Sequence, residues 1–252
     1  MTEYKETVLF VGGDSVGKTT VLFEIAEAYP SAKFILIDFE NKWNKVRNLY
    51  FPHVNNVEVI SVLNWDEVEA AFTKAKKELG AGDWLLIDGL DKAWDIIQST
   101  YDATKHGQNE WGWIKGKHNK DFLDVACTRA PFNVAATAYA QPNADFNIQR
   151  ESDAAVKEEL MMWKQIGFRP GGEKRNISRF DTVLALKAQL MPRKNLVTTF
   201  KDKGRPYLNG GKASLWMEFQ FPLWKIYVDT VTAAAERGER VAPIKPIETS
   251  GE

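Results

Sequence analysis

The chain has 252 residues, 44% hydrophobic and 27% charged, with a formal net charge of −1. That length and apolar content suit one α/β domain with a full core, and the near-zero charge excludes a global attraction for nucleic acid or an anionic membrane, so any polyanion site must be a local patch. The single Cys127 excludes an intramolecular disulfide and a multi-cysteine zinc site, and the polar start MTEYKET with no apolar run of about 18 residues reads as a cytoplasmic chain without signal peptide or membrane span.

Residues 7–29, TVLFVGGDSVGKTTVLFEIAEAY, read as strand, glycine loop and helix. The loop is a complete G-x-x-x-x-G-K-[ST] motif. Across Gly12, Gly13, Asp14, Ser15, Val16 and Gly17 the backbone N–H groups can turn inward around a polyphosphate, and the helix start adds its own unpaired donors. Lys18 is expected to reach the β and γ phosphates, Thr19 to ligate Mg²⁺ through its hydroxyl, and Thr20 to follow in the same phosphate-facing turn. ATP and Mg²⁺ are the cofactors this implies.

KFILIDFE (33–40) is a second buried strand, followed by a short helix to Tyr50, a strand at Val57–Val62 and a helix at Trp65–Leu79 capped by Asn64 or Asp66. DWLLIDGLD (83–91) is a third apolar strand leading into a helix at Lys92–Tyr101. Residues 102–120 are polar and rich in Trp, Gly, His and Lys, an excursion from the sheet edge, before a helix at Asp121–Ala130 and the strand FNVAATAYA at 132–140. This alternation predicts a mostly parallel sheet covered on both faces. Residues 141–180 hold no long apolar run and read as an extended, mobile region. Strands resume at 180–190, 195–202 and 213–219 as an antiparallel extension, a helix follows at Leu223–Arg237, and 238–252 reads as a disordered tail after a single domain over 1–237.

Asp88 ends the strand LLID, where a carboxylate at the tip of a parallel strand beside the P-loop strand would organise Mg²⁺; Asp91 is the weaker alternative, and a turn Asp before Gly89 is the other reading. Asp38 and Glu40 close the second strand, and alternation places them on one face. One of them would orient a water for in-line attack on the γ-phosphate, Glu40 being favoured.

The order of these parts, P-loop, strand ending in Asp-x-Glu, strand ending in Asp, resembles the RecA-type recombinase and ATPase family. GGEKRNISRFDTVLAL adds a closer resemblance to the minimal RecA-like ATPases of phages, known as nucleotide-binding or single-strand annealing proteins. The resemblance implies a RecA-like P-loop core, with Glu40 in IDFENKWNKVRNL as the catalytic glutamate and Arg47, seven positions on, against adenine, although an exposed helix arginine is the commoner use. It makes Gln141, or else Tyr139, the γ-phosphate sensor at the end of FNVAATAYAQ. It also makes the following segment, with Arg169, Lys174, Arg175 and Arg179, a nucleic-acid contact, unless those charges are simply solvated. Lys201, Lys203 and Arg205 in TTFKDKGRPYL would act on the triphosphate of a neighbouring subunit, or else decorate a hairpin turn. The implied protein is an Mg²⁺-dependent ATPase that binds single-stranded DNA and promotes annealing or recombination as a homo-oligomeric ring or filament. Two other readings stay open: an ATP-gated interaction module that meets a protein partner through Trp111–Trp113 and the tail, and a small-molecule kinase.

Overall fold

The computed structural model describes residues 4–100, 110–142, 154–173, 176–212 and 215–248. The strands β1 (Thr7–Gly12), β2 (Phe34–Asp38) and β4 (Trp84–Asp88) are buried along their whole length, as continuous apolar runs must be in a sheet covered on both faces. With β3 (Val57–Ser61), β5 (Asn133–Pro142), β6 (Phe168–Pro170), β7 (Thr182–Leu190), β8 (Arg193–Asp202) and β9 (Met217–Phe219), the order is β3-β2-β4-β5-β1-β7-β8-β9, with β6 paired on the end of β5. β3 through β7 in that order are mutually parallel, whereas β8 and β9 are antiparallel additions.

Successive residues of β1 serve opposite layers. Val8 and Phe10 face α1 (Lys18–Ala28), α2 (Trp43–Tyr50) and the last helix, whereas Leu9 and Val11 face α3 (Trp65–Glu78) and α4 (Leu90–Thr100). The start of α3 shows why its boundary was legible: Asn64 accepts from the backbone N–H of Glu67, and Glu67 reaches back to the N–H of Leu63. α5 (Glu110–Lys115) runs into widened π-type turns over 116–129, where the N–H of Asp124 bonds the carbonyl of Asn119 and that of Ala130 the carbonyl of Val125, five residues back. The remaining helices are α6 (Ala154–Ile166) and α7 (Leu223–Glu236).

Several expectations are corrected. Asp88's strand does not lie beside the P-loop strand, because β5 intervenes between them. Of the late strands only β8 and β9 are antiparallel, since β7 runs parallel to β1. The region read as extended over 141–180 contains α6, which seats Trp163 and Ile166 in the core and stacks Trp163 on Phe200 at 3.9 Å; residues 143–153 and 174–175 of that region lie outside the described residues.

The tail expected to be disordered from 238 is a strap as far as Glu248. Val241, Ile244 and Ile247 pack on the core at intervals of three, the repeat of an extended proline-rich chain rather than of a helix or strand. Its backbone is held by side chains and main chain: Arg205 donates to the carbonyls of Ala242 and Pro243, Tyr29 to that of Lys245, and the N–H of Glu248 bonds the carbonyl of Ala28.

Candidate active site

All the parallel strands end on the same side as Gly12, and the candidate residues collect there, outside the carboxyl ends of the strands. Residues 13–17 form the loop between β1 and α1, and Gly17 takes φ +89° at the helix entrance. A side chain there would be strained and would collide with the ring of Phe221, which lies against this glycine. Lys18 Nζ donates to the carbonyls of Gly12 at 2.9 Å and Gly13 at 2.7 Å, and stands 5.6 Å from the centre of the Tyr139 ring. Burial lowers its pKa, opposed by the nearby carboxylates of Glu40, Asp88, Asp91 and Asp14.

Asp88 is 1% exposed, and its carboxylate accepts from Thr19 Oγ1 at 2.9 Å and Thr137 Oγ1 at 2.6 Å. Burial pushes its pKa up to about 6 against those two hydrogen bonds, because two hydroxyl partners do not neutralise a carboxylate. A buried acid beside the P-loop hydroxyl, partnered only by neutral donors among the described residues, is a set of hard oxygen ligands that fits Mg²⁺ completed by waters and phosphate oxygens.

Asp38 and Glu40 separate after the strand ends. Asp38, 2% exposed, turns back so that Oδ1 accepts from the N–H groups of Glu40 and Asn41, both at 2.9 Å. It thereby fixes the turn into α2. Glu40 projects at the site with Oε2 2.7 Å from Lys42 Nζ, its stem against Gly89, where φ is +97° and a methyl would stand 3.2 Å from Glu40 Cγ. The expectation that both carboxylates share a strand face fails because the strand stops at Asp38.

Gln141 lies exposed at the end of β5, opposite Arg169 of β6, whereas Tyr139 pairs with Gly12 in register and its ring adjoins Lys18. Asp91 is a hub: its Oδ1 accepts from the N–H of Tyr139, and Gly171 and Gly172 pack on it. Arg47 sits in the last turn of α2. Arg179 is turned inward, paired with Asp124 at 2.6 Å with its side chain 12% exposed, which removes it from the expected polyanion surface. Lys174 and Arg175 lie outside the described residues.

The three expected trans-acting cations are corrected most. β8 is antiparallel, so Asp202 pairs with Thr182 and the segment 201–205 lies at the opposite end of the sheet from Gly12. Arg205 is 7% exposed, its guanidinium held by Glu6, Tyr227 and two tail carbonyls. Lys201 donates to the carbonyl of Phe180 at 2.6 Å, and Lys203 pairs with Asp181 at 2.7 Å.

Sequence reasoning missed Thr137, Lys42 and Phe221. The sequence held one part of the signal for Thr137, which lies two residues before Tyr139 on the same side of the strand; its place beside Asp88 follows only from β4 pairing with β5, Ile87 against Ala136.

Strand order, P-loop and carboxylates together define a RecA-like P-loop ATPase core with an antiparallel extension. The AAA domain family matches residues 5–166, and the chain belongs to that family. No curated protein matches it. Among solved structures it is similar to a KaiC-like protein from the hyperthermophilic archaeon Pyrococcus horikoshii, with 13% identity, 85% of this chain and 89% of that chain covered, and a TM-score of 0.47. It is also similar to the RadB recombinase, with 12% identity, 85% and 91% covered, and a TM-score of 0.46. Among the described residues no helix is long and apolar enough to cross a membrane.

Proposed function

We propose that this protein is an Mg²⁺-dependent ATPase that binds single-stranded DNA and promotes annealing or recombination in a phage-type system, working as a homo-oligomer in the cytoplasm. The observation that carries the reading is Asp88, buried behind the P-loop and held between the hydroxyls of Thr19 and Thr137. Bound there, Mg²⁺ would offset phosphate charge. Lys18 would leave the Gly12 and Gly13 carbonyls for the β and γ phosphates, and Glu40, presented by the Asp38 turn, would orient the attacking water. Thr137 fixes Asp88, and Tyr139, whose ring adjoins Lys18, or Gln141 would sense the γ-phosphate.

The single-strand reading is supported by contiguity. β6 carries Arg169 antiparallel to the end of β5, and the N–H of Gly171 bonds the carbonyl of Tyr139 at 2.7 Å, so the basic segment starts against the proposed sensor. Lys18→Ala is expected to abolish hydrolysis and weaken triphosphate binding, read by calorimetry and phosphate release; wild-type turnover in that variant would refute the site.

A further inference from the structure

Five of the nine tryptophans, Trp43, Trp65, Trp84, Trp163 and Trp224, are fully buried, but Trp111 and Trp113 are 48% and 40% exposed. Both lie on α5, whose π-type continuation meets the end of the basic segment where Asp124 pairs with Arg179. Lysines follow them at helical spacing. Lys115 lies one α-turn after Trp111, and Lys120 lies five residues further, where the widened π-type turns bring residues i and i+5 to the same side. Lys117 lies one turn after Trp113 and holds its ammonium 5.6 Å from the centre of that ring. Two rows thus form on opposite flanks of the helix, since residues two apart point about 200° apart: Trp111 followed by Lys115 and Lys120, and Trp113 followed by Lys117 alone.

Trp111 is braced from behind by Trp94, with ring centroids 6.1 Å apart and planes inclined 28°. Lys117 is anchored to Glu69 at 2.8 Å, and the exposed Asp121 directly follows Lys120. Lys115 and Lys120 are exposed and free of ion pairs among the described residues. From Trp111 to Lys120 the helix spans at most about 13 Å, the α-helical rise of about 1.5 Å per residue being an upper bound through the widened turns, room for roughly two nucleotides of a single strand.

We propose that the first row, Trp111 with Lys115 and Lys120, is a sequence-tolerant contact for single-stranded nucleic acid, with a base stacked on the indole and phosphates against the two lysines. An apolar protein surface would cover the Trp111 indole but leave Lys115 and Lys120 desolvated, whereas a polyanion with stackable bases satisfies both kinds of group. The inference rests on the single-strand-binding reading of the protein and places a second contact outside its basic segment.

The test is fluorescence anisotropy with a labelled oligothymidine, titrated with full-length protein across a salt series. Trp111→Ala is expected to weaken binding roughly tenfold with the salt slope unchanged, and Trp111→Phe, which keeps a stacking ring, to recover most of it. Lys115→Ala/Lys120→Ala should lower the slope of log affinity against log salt by about 1.4, two phosphates at about 0.7 each. Basal ATP hydrolysis without DNA should stay unchanged in all three. Wild-type affinity and slope in both alanine variants would overturn the proposal while leaving single-strand binding intact. No binding by the wild-type protein would defeat the single-strand reading itself, and this face with it.

Discussion

Two carboxylates that the sequence spaces alike, Asp38 and Glu40, do different physical work. Asp38 accepts backbone N–H groups at the entry to α2, whereas Glu40 leaves its carboxylate to Lys42 at the mouth of the site. Glu40→Gln is therefore expected to retain ATP binding and thermal stability while slowing the chemical step by about 10²-fold or more. Asp38→Ala should instead cost about 1 kcal/mol or more of stability, as losing a cap does, and lower turnover through misplacement of Glu40. Thermal melts beside single-turnover kinetics separate the two; a chemical defect without destabilisation in Asp38→Ala would exchange their roles. The P-loop was fully legible because its chemistry is carried by backbone donors at fixed spacing. Asp38 and Glu40 were not separable, since the point where a strand yields to a turn decides which of them faces the nucleotide.

At the scale of elements, two late features hold the C-terminal layer. Arg205 and Glu6, 199 residues apart, form a buried pair whose guanidinium also ties down the tail strap. Burial works against the arginine's charge, and the Glu6 carboxylate more than restores it, so its pKa is raised. Arg205→Ala strands Glu6 and should destabilise the protein by about 3–5 kcal/mol. Loss of hydrolysis with an unchanged melting temperature would instead revive a role on a neighbouring subunit's phosphate. Nothing local in KDKGR announces a partner near the N-terminus, which is why an inward arginine read as an outward one.

Glu24 of α1, 4% exposed, accepts from the N–H of Trp224 at 3.0 Å and so caps α7. Burial pushes its pKa up to about 7 despite the backbone hydrogen bonds that favour the charged form. The folded state then holds a proton that the unfolded chain releases near 4.5, so stability falls as pH rises from about 4.5 to 7. Glu24→Gln removes a penalty on the order of 3 kcal/mol above pH 7 and should raise the melting temperature by several degrees at pH 8 with little change at pH 5. An equal effect at both values would show that Glu24 is ionised in the fold throughout.

At the scale of the whole molecule, the alternation of strands and helices made the parallel core readable, since each strand needs apolar residues on both faces. The strand order was not readable, because nothing local says that β5 inserts between the P-loop strand and that of Asp88. The same insertion puts Thr137 beside Asp88 and leads β5 directly to Arg169 and Gly171, so one strand touches both the acid proposed to organise Mg²⁺ and the basic segment. Nucleotide state and strand binding are therefore expected to be coupled. The most direct measurement is steady-state ATP hydrolysis with Mg²⁺, with and without single-stranded DNA, over a range of protein concentrations. The account predicts Mg²⁺-dependent turnover that rises on adding single strands and, per subunit, with protein concentration; ATP bound tightly with no turnover under either condition would contradict it.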